Sequence, residues 1–126
     1  MKDPVFELCD RIRECAFSLH QFLRHGHAEK IYEAGLCHRL NQHNISFSRQ
    51  HPLTVRDEDD SVLGELFADV FVENQLILEI KACKTLLDDH TAQLLGYLRA
   101  ARIEHGLLIN FGSPKLQIRK FALSPV

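Results

Sequence analysis

The sequence predicts an α/β domain in which helices cover a β-sheet, with the elements in the order ααβββαββ. Three segments carry apolar residues at the three-to-four-residue spacing of an amphipathic helix. The segments between and after them are rich in β-branched and aromatic residues, which favour strands. The chain of 126 residues is 45% apolar and 25% charged, enough for one hydrophobic core but not for two. We therefore expect residues 1–126 to form a single domain.

The first two helices open the chain. Asp3 is placed to act as the N-cap of a helix whose first residue is Pro4, and apolar residues then recur at helical spacing as far as Leu23. Gly26 interrupts this pattern. A second helical pattern follows from about Ala28 to Gln42.

After about residue 44 the spacing of apolar residues changes from that of a helix to that of a β-strand. The acidic run Asp57–Asp60 indicates a solvated turn between two strand segments rather than a metal-binding loop. A third helix is predicted to begin at Asp88 and Asp89, whose charges suit the positive end of a helix, and to end at about Arg102. The predicted strands lie within residues 45–57, 63–82, 107–111 and 116–123.

The charge of the chain is unevenly distributed. The net charge is −2, with 8 basic and 14 acidic residues through Ile80 and 7 basic and 3 acidic residues from Lys81 onward. The basic C-terminal part is compatible with an anionic partner, although a dedicated nucleic-acid binder is usually basic overall. The candidate phosphate contacts are Lys84, Arg99, Arg102, Lys115, Arg119 and Lys120.

No apolar stretch is long enough to cross a bilayer, so we expect a soluble, cytoplasmic protein without a membrane partner. The four cysteines form no C-x-x-C pair and lie in apolar stretches. This favours small core residues in a reduced compartment over a disulfide framework or a structural metal site.

Three charged residues, Asp69, Glu79 and Lys81, interrupt the otherwise apolar strands of the central hairpin. Charges are costly to bury unless they are paired or bind a metal. A two-residue turn at Asn74-Gln75 would place Asp69 and Glu79 on opposite faces of the hairpin, because directly paired residues share a face.

A three-residue loop, residues 73–75, would instead set Asp69 opposite Glu79, with Lys81 on the same face. We predict this loop, with Asn74 or Gln75 in a left-handed conformation. The other face would then be entirely apolar, formed by Leu66, Ala68, Val70, Val72, Leu76, Leu78 and Ile80.

Two interpretations of this charged cluster remain open on the residues alone. Adjacent carboxylates repel each other, and a cation between them keeps both ionised. Oxygen ligands suit a hard ion such as Mg²⁺ or Mn²⁺. The alternative is an ion cluster of Asp69, Glu79 and Lys81 that fixes the register of the hairpin.

Five ordered motifs resemble one known family. Asp69 and Glu79-Ile80-Lys81 resemble the D-x(n)-E-x-K core of the PD-(D/E)XK nuclease superfamily, and Gly26 to Tyr32 (GHAEKIY) matches the pattern of the GxxExxY proteins within it. The segments ADVFVENQLILEIKA, HTAQLLGYLRAA and GLLINFG are similar to that family's acidic hairpin, Q-x-x-x-Y helix and following strand. The resemblance covers about residues 5 to 121. It implies a restriction-endonuclease-like core, a mixed β-sheet flanked by helices.

The resemblance also implies roles for individual residues. Phe67 departs from the family where a basic residue is common, and Gly35 weakens the second helix. The implied metal ligands are Asp69, Glu79, the backbone carbonyl of Ile80 and the helix carboxylate Glu29, while Lys81 would act on the attacking water or on transition-state charge, and Gln93 and Tyr97 would line the site.

Gln93 and Tyr97 are four residues apart and share a helix face, which is also compatible with helix filler and a core aromatic residue. With these residues, the resemblance implies hydrolysis of nucleic-acid phosphodiester bonds, with DNA favoured over RNA. The small surface of the chain favours a homodimer or a larger complex. The alternative is a nuclease-like fold that binds a partner without turnover.

Overall fold

The computed structural model describes residues 3–123. It confirms the predicted class and the order ααβββαββ, with helix and strand ends within a few residues of those predicted. The elements are α1 (Pro4–Leu23), α2 (Glu29–Gln42), β1 (Phe47–Arg56), β2 (Val62–Val72), β3 (Leu76–Lys81), α3 (Asp88–Ala101), β4 (His105–Asn110) and β5 (Gln117–Ala122).

The five strands form one mixed sheet in the order β1-β2-β3-β4-β5. Neighbouring strands are antiparallel except β3 and β4, which are parallel. Parallel neighbours need a crossover connection, and α3 provides it. This arrangement places α3 directly after β3, the strand that carries Glu79 and Lys81.

Helices cover both faces of the sheet. One hydrophobic cluster joins α1 and α2 to alternate residues of β3 and β4, including Leu78 and Ile109. A second cluster joins α3 to the intervening residues, including Ile77 and Leu108. Because both faces are covered, β3 and β4 are continuously apolar rather than alternating. None of the described helices is long and apolar enough to span a membrane.

The GxxExxY segment joins α1 to α2 through its tyrosine. Tyr32 is fully buried and its ring stacks on Phe111, with centroids 4.8 Å apart. Its hydroxyl donates a hydrogen bond to the carbonyl of Arg24 (2.5 Å) and accepts one from the N–H of His27 (3.1 Å). Tyr32 therefore holds the connection between the helices.

Three of the cysteines are core residues, as predicted. Cys9, Cys15 and Cys37 pack in the same hydrophobic cluster as Tyr32.

The β2–β3 loop has the predicted length. Val72 pairs with Leu76, so the loop comprises residues 73–75. Asn74 has the predicted left-handed backbone (φ 56°), and Glu73 shares it (φ 52°), whereas Gln75 does not. The predicted register is therefore confirmed for the three pairs next to the loop, from Val72–Leu76 to Val70–Leu78, and Asp69 and Glu79 are the residues that follow them.

The expectation of one continuous apolar face on β2 is wrong. Val70 and Val72 pack against α1 and α2, but Ala68 and Leu66 pack with the α3 cluster. The apolar side chains of β2 therefore change from one face of the sheet to the other at Asp69. Gln50 lies across from Asp69 on β1 and has a positive φ of 47°. The distal parts of β1 and β2, residues 51–68, thus form a hairpin arm that turns toward α3.

Gly112 lies in close contact with the backbone that follows β3. A Cβ atom on Gly112 would lie 2.2 Å from the backbone nitrogen of Cys83 and 2.4 Å from the carbonyl carbon of Ala82. We expect Gly112→Ala to lower the free energy of unfolding by about 2–3 kcal/mol, because backbone must shift to admit the methyl group. Urea denaturation measures this change.

Gly96→Ala is the matched control, because a Cβ atom on Gly96 of α3 meets nothing within 4 Å. It should raise the free energy of unfolding by about 0.5–1 kcal/mol, since alanine favours a helix more than glycine does. A Gly112→Ala variant as stable as the wild type would contradict the close approach.

Candidate active site

Asp69 and Glu79 come together where β2 separates from β3. The last described backbone pair between these strands is Val70 with Leu78. Beyond it, side chains replace the strand-to-strand hydrogen bonds. Asp69 Oδ2 accepts the N–H of Ile80 (2.8 Å), and Glu79 Oε1 accepts the N–H of Asp69 (3.3 Å). The two carboxylates are thereby held side by side.

The backbone of Ile80 faces the same gap. The N–H and C=O of one strand residue point toward the same neighbouring strand, and the N–H of Ile80 points to Asp69 of β2. The next residue points the other way, because the carbonyl of Lys81 accepts a hydrogen bond from Phe111 (2.9 Å). The Ile80 carbonyl therefore points toward the carboxylate pair.

Glu79 is strongly perturbed by this arrangement. Its side chain is 3% exposed. Burial, the negative charge of Asp69 and a hydrogen bond between the two carboxyl groups raise the pKa of Glu79 to about 9. Without a cation, Glu79 therefore keeps its proton at neutral pH.

Lys81 connects the carboxylate pair to α3. Its ammonium donates a hydrogen bond to Gln93 Oε1 (2.9 Å), and Gln93 Nε2 donates one to the Tyr97 hydroxyl (3.3 Å). Burial and the nearby charges of Glu79 and Asp69 raise the pKa of the Tyr97 hydroxyl. In the described part of the chain Lys81 forms no salt bridge, although its positive charge lies near enough to oppose the rise in the pKa of Glu79.

The backbone after Lys81 is fixed by a buried amide. Asn110 is completely buried; its Oδ1 accepts the N–H groups of Cys83 (3.0 Å) and Gly112 (2.9 Å). Its Nδ2 donates to the carbonyl of Cys83 and to Gln117 Oε1, each at 2.9 Å. Asn110 thus holds the connection between β3 and α3 in place.

A third carboxylate approaches from α2. Glu33 is 7% exposed and accepts two hydrogen bonds from Arg49, at 2.8 and 3.2 Å. Gln50 Nε2 donates to Glu33 Oε1 (2.8 Å) and to Asp69 Oδ1 (3.4 Å). The carboxylate of α2 that connects to the site is therefore Glu33.

Sequence reasoning selected Glu29 for this place and missed Glu33 and Gln50. Glu29 is exposed at the first residue of α2 and makes no hydrogen bond or ion pair with a described residue, so its role as a ligand stays a prediction. The four-residue spacing that puts Glu29 and Glu33 on one helix face was a signal for Glu33.

The donor atoms around Asp69 fit a hard divalent cation. Among the described residues, no cluster of three or more His, Cys, Asp or Glu side chains could hold a metal ion, so the available set is two carboxylates and a backbone carbonyl. Such a set suits Mg²⁺ or Mn²⁺, which keep several water ligands. A cation would also offset the burial and the repulsion from Asp69 that raise the pKa of Glu79.

Asp69, Glu79 and Lys81 thus lie where two strands of a mixed, helix-covered sheet separate, in the order of the D-x(n)-E-x-K pattern of the sequence. The model of the PD-(D/E)XK nuclease superfamily matches residues 6–121. The chain belongs to this superfamily.

Known structures support the same fold. The crystal structure of SSO0001 superimposes with a TM-score of 0.63 at 19% sequence identity, covering 77% of this chain. The chain spans about half the length of SSO0001, 50% of that chain. The search of curated proteins found no match.

The raised pKa of Glu79 predicts a pH-dependent stability in the absence of divalent metal. The carboxyl ionises near 4.5 when unfolded and near 9 when folded. Between these values the folded state binds more protons, so the free energy of unfolding should fall as the pH rises from about 5 to about 9. Urea denaturation in the presence of a chelator measures this slope.

Glu79→Gln is the control for this assignment, because the amide has a similar shape and does not titrate in this range. The slope should be markedly smaller in the variant. An identical slope in Glu79→Gln and the wild type would contradict the assignment to Glu79.

Proposed function

We propose that the protein is a metal-dependent nuclease that hydrolyses phosphodiester bonds of nucleic acid, with DNA as the preferred polymer. The observation that carries this proposal is the pair of hydrogen bonds between Asp69 and the Glu79-Ile80 segment, which hold the two carboxylates together within the electrostatic reach of Lys81. Placement in the GxxExxY family is part of the proposal, and rests on the ordered motifs rather than on the superfamily match.

The residues divide the chemistry among them. Asp69, Glu79 and the Ile80 carbonyl would hold Mg²⁺ or Mn²⁺. Glu33, whose oxygens accept from Arg49 and Gln50, would support this set from α2 without binding the ion, and a ligand role for Glu29 stays a prediction. The bound ion would lower the pKa of a water molecule and offset the charge that develops on the phosphate.

Lys81 has the second role in this proposal. Its ammonium donates to the neutral amide of Gln93, and no carboxylate of residues 3–123 lies within salt-bridge distance of it. It can therefore donate a hydrogen bond to a phosphate oxygen in the transition state. Gln93 orients the ammonium, and Tyr97 in turn orients Gln93 through its hydroxyl.

The predicted phosphate contacts lie in different places. Arg99 and Arg102 line a groove of about 790 Å³ between the end of α3 and the hairpin arm, together with Arg56 and with the carboxylates of the β1–β2 turn, Asp57, Glu58 and Asp60. Lys120, by contrast, donates to His105 Nδ1 (3.1 Å) and lies over the ring of Phe6 at the far edge of the sheet. We propose Arg99 and Arg102 as the contacts that follow the nucleic-acid backbone.

Metal binding is the first test. Mg²⁺ or Mn²⁺ at about 100 times its Kd should stabilise the wild-type chain by about 2.7 kcal/mol, raising its Tm by several degrees. Asp69→Asn should abolish the shift, whereas Asp59→Asn, in the exposed turn between β1 and β2, should preserve it. An equal shift in all three proteins would reject Asp69 as a ligand.

Hydrolysis is the second test, with single-stranded, duplex and structured DNA and RNA as substrates. Glu79→Gln should abolish cleavage, and Lys81→Met should lower kcat by about 10²- to 10³-fold while metal binding persists. Lys30→Met, on the exposed side of α2, is the matched control and should cleave normally.

Two outcomes would overturn this chemistry. Cleavage that survives in Glu79→Gln would reject the assigned residues. Metal and nucleic-acid binding without cleavage by the wild type would identify the chain as a binding or scaffold module, the alternative that its net charge of −2 favours.

A further inference from the structure

Gln50 has an unusual backbone for a residue in the middle of a strand. Its φ of 47° lies in the left-handed region, which costs free energy for a residue with a side chain. The pairs Arg49–Val70 and His51–Ala68 place Gln50 directly across from Asp69. Strained conformations of this kind persist where the surroundings hold them, and they cluster at functional sites.

The left-handed backbone changes where the side chain of Gln50 goes. Consecutive side chains of a regular strand point to opposite faces. Arg49 and Gln50 are consecutive, yet both donate hydrogen bonds to Glu33, at distances of 2.8 to 3.2 Å. The break in alternation at Gln50 brings both side chains to the carboxylate of α2.

The amide of Gln50 bridges two carboxylates. Its Nε2 donates to Glu33 Oε1 (2.8 Å) and, at the long end of the hydrogen-bond range, to Asp69 Oδ1 (3.4 Å). An amide nitrogen carries two N–H groups, so it can serve both acceptors. The other oxygen of Asp69, Oδ2, accepts the N–H of Ile80. Each oxygen of Asp69 thus has its own donor, and together they fix the orientation of the carboxylate.

We propose that Gln50 is a positioning residue, whose amide orients Asp69 toward the divalent cation and whose left-handed backbone delivers that amide. This inference rests on the function proposed above. Groups that orient metal ligands without touching the metal typically change metal affinity by about 10- to 100-fold when they are removed.

Calorimetric titration of the full chain with Mn²⁺ tests the inference without an activity assay. Gln50→Met keeps the length of the side chain and removes the donor, and Gln50→Gly removes the side chain while relieving the backbone conformation. Both variants should bind Mn²⁺ about 10- to 100-fold more weakly than the wild type. Urea denaturation of both variants in metal-free buffer confirms that the comparison is between folded proteins.

Asn74→Gly is the matched control for the backbone. Asn74 also has a left-handed conformation (φ 56°), but it lies in the exposed β2–β3 loop. Its substitution should leave the Mn²⁺ affinity unchanged. A loss of affinity in Asn74→Gly equal to that in Gln50→Gly would overturn the inference, because the effect would then follow from backbone change alone.

Two further results separate this inference from the proposed function. If the wild type binds Mn²⁺, Asp69→Asn does not, and Gln50→Met binds as tightly as the wild type, Gln50 has no positioning role and the proposed function stands. If the wild type and Asp69→Asn both fail to bind Mn²⁺, the metal site itself is rejected, and the role of Gln50 is rejected with it.

Discussion

The separation of β2 from β3 at Asp69 is the constraint on which the rest of the site depends. Backbone groups that lose their strand partners must find others, and here the side chains of Asp69 and Glu79 supply them. The same contacts that complete the hydrogen bonding of the backbone press two carboxylates together. Burial, to which their repulsion adds, raises the pKa of Glu79 to about 9, so a proton or a cation must compensate one of the charges.

Much of the fold and part of the site could be predicted from the sequence, because both follow from periodicity. Apolar spacing located α1 and α2, and the two-residue alternation of β-strands decided between two loop lengths in the hairpin. The same parity argument placed Asp69 on the side of Glu79. The four-residue spacing of Gln93 and Tyr97 likewise indicated a shared helix face, on which they now hydrogen-bond.

The features that could not be predicted are those in which the chain departs from the regular spacing of helices and strands. Glu29 and Glu33 share a helix face, so spacing alone could not choose between them, and the choice is made by Arg49 and Gln50 from a different element. Glutamine carries no signal for a left-handed backbone. The kink at Gln50 was therefore not foreseen, nor was the turn of Ala68 away from the face of Val70.

The four hydrogen bonds of Asn110 have a consequence for how the cleft can adapt to its ligand. They join the segment after β3 to β4, to the turn after β4 and to the first residue of β5, and so hold the wall of the cleft that Lys81 and the start of α3 form. The hairpin arm is held differently: the backbone pairing of β2 with β3 ends at Val70, and Leu53 and Ala68 of the arm pack in the apolar cluster of α3. The two walls of the cleft therefore differ in kind, one held by directional hydrogen bonds and the other by non-directional apolar packing.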